Sequence, residues 1–130
     1  MNVIGHGIDI VSVSRIDRMI AEHGERFLAR CFAPGEAALH KPGSRGVERL
    51  AARFAAKEAV LKALGTGLTS GISWTDIEVI TLPSGEPVLQ LHGAAQRAGA
   101  ARGIVGWLVS LSHTGDTAMA SVIALGEKPL

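Results

Sequence analysis

The sequence predicts an α+β domain, on three observations. Helical periodicity dominates the first half, paired strands with hairpin turns dominate the second, and neither a repeat nor a linker divides the 130 residues. A chain of that length buries about two-thirds of the surface its unfolded form exposes. Hydrophobic residues make up 47% and charged residues 19%, which excludes a disordered chain. A formal net charge of +1, three Phe, two Trp and no Tyr give little of the footprint of a nucleic-acid binder. No apolar run approaches the roughly 20 residues a membrane span needs. The single cysteine, Cys31, excludes an intrachain disulfide. With no secretory signal, the expected compartment is the reducing cytoplasm, and Cys31, near Leu28 and Phe32, reads as a small core residue.

Val3 to Val11 is the first strand. Ser14, three residues before Asp17, resembles a helix N-cap, and the helix runs through Arg15, Ile16, Met19 and Ile20 to a stop at Gly24. Glu25 to Phe32 continues as helix or turn, Pro34 to His40 forms a short helix, and Lys41 to Gly46 (KPGSRG) is a loop. Val47 to Leu64 is the longest helical pattern, ended by Gly65. Thr66 to Ser73, rich in Gly and Ser, is a flexible loop. Ile77 to Leu82 and Val88 to Leu91 flank PSGEP as a hairpin, and Ala94 to Ala101 is a small-residue helix. Val105 to Leu111 and Ala118 to Leu125 are strands joined by SHTGDT, a second hairpin.

The first strand carries a carboxylate where strands are depleted of it, at Asp9 in GIDIVSVSRI. Alternation turns Gly5, Gly7, Asp9 and Val11 to one face and Ile4, Ile8 and Ile10 to the other. Two glycines beside Asp9 leave room for a ligand or for another backbone. On the long helix, Leu50, Phe54, Leu61 and Leu64 share one face. Lys57 falls in the middle of that face, Glu58 at its edge and Lys62 one turn beyond, with Arg49 and Arg53 on the opposite edge. One explanation is an ion pair with snorkelling stems and i,i+4 support between Glu58 and Lys62. The other is chemical. A strand carboxylate and a helix carboxylate can share one hard cation, and two carboxylates completed by phosphate and water are the usual setting of Mg²⁺. Lys57, Lys62, Arg53 and His113 are then candidate phosphate partners, and Gly65 to Gly67 and SHTGDT can bring backbone groups to an anion. These residues suit a phosphate-containing substrate bound through magnesium. Lys57 has a second possibility, pairing with a buried carboxylate, and His113 can equally be a turn residue bonding its own backbone.

Three segments carry a resemblance. GIDIVSVSRI (Gly7 to Ile16), RFAAKEAVLKALGTG (Arg53 to Gly67) and SLSHTGDTAMASVIA (Ser110 to Ala124) are similar to the holo-acyl-carrier-protein synthases, the short bacterial type of 4′-phosphopantetheinyl transferase. GISWTDIEV with Gly85 and Pro87 also matches, so the likeness covers nearly the whole chain in the family's order. It implies one transferase domain over residues 1–130, with a long helix packed on a small, mainly antiparallel sheet. It implies transfer of the phosphopantetheine arm of coenzyme A to a serine of apo acyl carrier protein, with adenosine 3′,5′-bisphosphate as the other product, in the service of fatty-acid biosynthesis. By the same resemblance Asp9 and Glu58 match the metal-binding carboxylates, Lys62 the phosphate-contacting lysine, and Arg53, Lys57, Gly65 and His113 segments lining the coenzyme A site. The first helix would dock the acidic carrier through Arg15, Arg18 and Met19, with Arg26 following. Homotrimers with sites at subunit interfaces are also implied. The serine's proton goes either to Glu58 or to a metal-bound water held by a carboxylate. The two carboxylates alone would also suit a magnesium-dependent phosphohydrolase, but no second acidic motif such as DxD accompanies them. A binding module holding a nucleotide or an acidic protein on Arg15, Arg18 and Arg53 is the reading without catalysis.

Overall fold

Two sheets and one long helix set the frame of the computed structural model, which describes residues 1–41 and 45–127. Strand β1 (Asn2–Ser12) runs directly into α1 (Val13–His23), followed by α2 (Glu25–Cys31), α3 (Pro34–Ala37) and the long α4 (Gly46–Leu64). A single 3₁₀ turn (Trp74–Asp76) precedes the hairpin of β2 (Ile77–Thr81) and β3 (Pro87–Leu91). Helix α5 (Gly93–Ala101) then leads into β4 (Ile104–Thr114) and β5 (Thr117–Gly126). One sheet has the order β1-β5-β4 and the other is the β2-β3 pair, with every pairing antiparallel. The expected α+β architecture, a long helix on a small antiparallel sheet, is what the chain adopts. Of the loop expected at Lys41 to Gly46, residues 42–44 lie outside the described residues.

Three local expectations are corrected. The cap of α1 is Ser12, whose hydroxyl accepts the Arg15 N–H at 3.2 Å. Ser14 instead donates its hydroxyl to Asp116. SHTGDT is mostly strand, because pairing continues to Thr114↔Thr117 and leaves only Gly115 and Asp116 in the turn; Gly115 takes φ +56°, which suits glycine. Strict alternation in β1 fails at its start, where a bulge between Val3 and Gly5 turns Ile4 into the core.

Helix α4 is buried around most of its circumference, not on one face. Its larger side chains form two clusters. Leu50 and Phe54 join Phe27, Phe32 and Leu28 under α1 and α2. Leu61 and Leu64 join Ile72, Ile77 and Ala95. Phe54 also packs against Trp74, ring centroids 4.8 Å apart. Alanines 55, 56, 59 and 63 are buried as well. Here the two β1 glycines find their use. A Cβ on Gly7 would sit 1.9 Å from the Ala59 carbonyl oxygen, and one on Gly5 would sit 2.6 Å from that of Ala63. The open face beside Asp9 is therefore filled by the backbone of α4. The helix ends at Gly65, φ +75°, whose N–H bonds to Leu61 and Lys62 carbonyls.

Candidate active site

Close packing of α4 on β1 brings the two carboxylates of one chain into each other's field. Asp9 stands opposite Ala120 on β5, with its side chain only 13% exposed. The Lys62 ammonium donates to Asp9 Oδ1 at 2.8 Å and to the Ile8 carbonyl at 2.9 Å. So Lys62 reaches across to the strand, and of the two explanations offered for these charges the hydrogen bond is to Asp9, not the i,i+4 pair with Glu58. That hydrogen bond raises the Lys62 pKa above the ordinary lysine value. Burial holds the Glu58 carboxyl above its usual range, and the negative charge of Asp9 raises it further, while Arg15 and Lys62 act in the opposite direction. Glu58, Lys62 and Gly65 line one cavity of about 360 Å³ together with Leu61, Gly67 and Trp74.

On the other side of Trp74 lies a second cavity of about 410 Å³. Its floor is Met19, Phe27, Phe54 and Trp74, and its rim is Arg15, Arg26 and Arg30 with His23. Three of the expected docking residues, Arg15, Met19 and Arg26, thus share one concave surface, cationic outside and apolar within. Arg18 lies apart from it, near the carboxylate of Asp116.

The remaining expected residues go elsewhere. Arg53 is buried, and its guanidinium donates to Thr81 Oγ1 at 2.7 Å and to the Arg49 carbonyl at 3.2 Å. It lines a separate cleft of about 590 Å³ with Arg49, Thr81, Gly85, Pro87 and Ser110. Five helix positions separate Arg53 from Glu58, a rotation of about 140°, and the two line different cavities within one chain. His113 lies on β4, with Nε2 3.0 Å from Glu48 at the start of α4. Within one chain, then, Asp9, Glu58, Lys62 and Gly65 converge, while Arg53 and His113 belong to other surfaces.

Lys57 takes the structural option. It is completely buried, and its ammonium donates to Glu36 Oε1 at 2.8 Å, to the Trp74 carbonyl at 3.3 Å and to the Ile77 carbonyl. An ammonium has three protons. All are used, leaving no donor for a substrate phosphate. Burial pulls the Lys57 pKa down, and Glu36 opposes that shift. Glu36 is itself buried and completes its bonds with the N–H groups of Ala33 (2.9 Å) and Val79 (3.0 Å). Glu36 had no signal in the sequence beyond being an acid in a short helix.

The carboxylate pair fits a hard divalent cation. Its oxygen donors are the type Mg²⁺ prefers, and the repulsion that raises Glu58 is what such a cation relieves. Among the described residues no group of three or more His, Cys, Asp and Glu side chains is placed to hold a metal. A cation held by these two carboxylates would leave most of its coordination to water and to oxygens of a bound substrate, the common pattern for Mg²⁺.

Comparison with known proteins adds chemistry to this geometry. Residues 5–112 match the model of the 4′-phosphopantetheinyl transferase superfamily. A holo-[acyl-carrier-protein] synthase of Desulforudis audaxviator is 50% identical over 124 residues, which cover 95% of this chain and 94% of the relative. The crystal structure of the holo-[acyl-carrier-protein] synthase of Neisseria meningitidis superimposes with a TM-score of 0.83 at 36% identity, covering 95% of this chain and 99% of that one. The Helicobacter pylori synthase, solved in complex with coenzyme A, gives a TM-score of 0.78 at 32% identity, covering 92% and 99%.

Proposed function

The chain belongs to the 4′-phosphopantetheinyl transferase superfamily, and from that premise we propose that it moves the phosphopantetheine arm of coenzyme A onto a serine of an apo acyl carrier protein. In this proposal the chain is one transferase domain, Mg²⁺ is required, adenosine 3′,5′-bisphosphate is released, and the holo carrier serves fatty-acid synthesis in the cytoplasm. The observation that carries it is the meeting of Asp9, Glu58 and Lys62 where α4 lies closest to β1.

The chemistry is attack by a serine hydroxyl on the β-phosphorus of a pyrophosphate, with adenosine bisphosphate leaving. Such transfers depend on positioning and on charge stabilisation. Asp9 and Glu58 would hold the cation, which when bound neutralises pyrophosphate charge and polarises the phosphorus. Lys62, its side chain 55% exposed, can turn from Asp9 to an equatorial or departing phosphate oxygen. The serine proton goes to Glu58 itself or to a cation-bound water that a carboxylate would hold. Arg15, Met19 and Arg26 supply the cationic and apolar surface on which an acidic carrier docks, beside the cavity that holds Glu58.

A homotrimer is part of the proposal, because the coenzyme A residues are split within one chain. The outer face of the β1-β5-β4 sheet leaves Ile8, Ile10, Val105 and Leu108 exposed, an apolar surface of the kind that marks interfaces. Copies packed there could bring the Arg53 cleft of one subunit and the Asp9–Glu58 pair of another into one site, which is what the split of these residues within one chain calls for. Mass spectrometry of apo carrier incubated with this protein, coenzyme A and Mg²⁺ tests the function. The carrier should gain one phosphopantetheine, and an unchanged mass removes the proposal. Glu58→Gln should remain folded and fail to modify the carrier; near-normal turnover would take Glu58 out of the site.

A further inference from the structure

One residue of the β4–β5 turn holds the point at which β1 becomes α1. Asp116 Oδ1 accepts the Ser14 N–H at 2.7 Å. Its Oδ2 accepts the hydroxyls of Ser12 and Ser14, each at 2.8 Å. Its main-chain carbonyl accepts the Val13 N–H at 2.8 Å. The Ser12 hydroxyl in turn accepts from the Arg15 N–H as the cap of α1. A two-residue hairpin turn needs a compliant backbone at Gly115 and Asp116, but it does not need the Asp116 side chain to reach a helix start a hundred residues away in sequence. Hydrogen bonds from Ser12 and Ser14 hold the Asp116 carboxyl below its usual range, so these bonds are made to the charged form.

The location matters more than the number of bonds. Ser12 lies three residues after Asp9 on β1 and three before Arg15 on α1. The clamp is thus the joint between the carboxylate site and the proposed docking helix. A serine delivered by a carrier on α1 reaches the site correctly only if that joint has one angle, and a displacement of about 1 Å at a reacting centre can cost about 100-fold.

We propose that Asp116 is a positioning residue for the transfer: by binding Ser12, Val13 and Ser14 it sets the direction in which α1 leaves β1, and so the placement of Arg15, Arg18 and Met19 relative to Asp9 and Glu58. This rests on the docking role given to α1 above.

The test compares Asp116→Ala and Asp116→Asn with the natural protein, measuring kcat/KM for apo carrier and KM for coenzyme A separately, together with amide hydrogen exchange. Asp116→Ala should lower kcat/KM for apo carrier about ten-fold, as for a misplaced reacting centre, and leave coenzyme A KM within about two-fold. Exchange at Ser14 and Arg15 should quicken while α4 amides stay protected. Asparagine keeps the acceptor for Ser14 N–H and can turn its amide toward the hydroxyls, so it should hold carrier kcat/KM within about three-fold of the natural value. An unchanged carrier kcat/KM in Asp116→Ala overturns the proposal. So does a loss of carrier kcat/KM accompanied by a raised coenzyme A KM and faster exchange in α4, which would mean general loosening, and so does an asparagine variant as impaired as the alanine one. If the natural protein modifies no carrier, the transfer function fails on its own. In that case quickened Ser14 and Arg15 exchange in Asp116→Ala still upholds the clamp, and unaltered exchange refutes it.

Discussion

Gly7→Ala puts the spacing between α4 and β1 to a direct test. The added Cβ would stand 1.9 Å from the Ala59 carbonyl oxygen, against the 3.0 Å that real Cβ contacts essentially never undercut, so helix and strand must part by about 1.1 Å. The obstacle is backbone on both sides, and no rotamer change can relieve it. Overpacking of this kind costs about 1–3 kcal/mol, which for a chain of this size lowers the melting temperature by roughly 3–12 °C. The functional cost is larger, because Asp9 sits two residues from Gly7 on the strand while Glu58 and Lys62 flank Ala59 on the helix. A shift of about 1 Å between the two carboxylates should lower kcat/KM for phosphopantetheine transfer by about 100-fold. Gly5→Ala provides the graded comparison, since its clash at 2.6 Å asks for only a few tenths of an ångström. It should lose less stability and less activity. The assays are thermal denaturation and the rate at which the carrier gains mass. If Gly7→Ala melts within 2 °C of the natural protein and keeps near-normal turnover, the glycine contact does not set the geometry of the site.

Three further outcomes are expected. Lys57→Met takes away the buried cation that pairs with Glu36, and should destabilise the protein by about 3–5 kcal/mol, with Lys57→Met/Glu36→Leu recovering much of that in thermal melts; a single variant of normal stability that only raises coenzyme A KM would make Lys57 a substrate contact. Glu58 binds its proton more tightly folded than unfolded, so in the metal-free protein its contribution to stability declines as pH rises from the ordinary glutamate value toward the raised one. An NMR titration of the Glu58 carboxyl should find its midpoint above the ordinary glutamate value, and Lys62→Met should move it higher still, since Lys62 now lowers it; a midpoint unaffected by Lys62 would separate the two groups. Arg15→Glu with Arg18→Glu should weaken carrier binding and alter its salt dependence, because those charges steer an acidic partner. A carrier KM with the same value and salt response as the natural protein would move the docking surface elsewhere.

What was legible in the sequence was local. Periodicity marked β1, α1, α4 and both hairpins, and Gly65 marked the end of α4, because apolar spacing and left-handed glycines report geometry within a few residues of themselves. The family likeness was legible too, in three ordered segments. Partners across the fold were not. A helical wheel places Lys57 on a buried face, but only the packing of α3 and β2 against α4 supplies Glu36 and the Ile77 carbonyl. Glu58 and Lys62 have the spacing of a surface ion pair, yet the absence of a Cβ at Gly7 lets β1 come close enough for Asp9 to take the ammonium instead. Asp116 reads as a turn residue and serves as an anchor because the β4–β5 turn ends beside the start of α1. The sequence by itself determined which elements form and which charged residues are present. The tertiary structure decided which charges meet, because that depends on how closely two backbones approach, a distance set jointly by residues far apart in the chain.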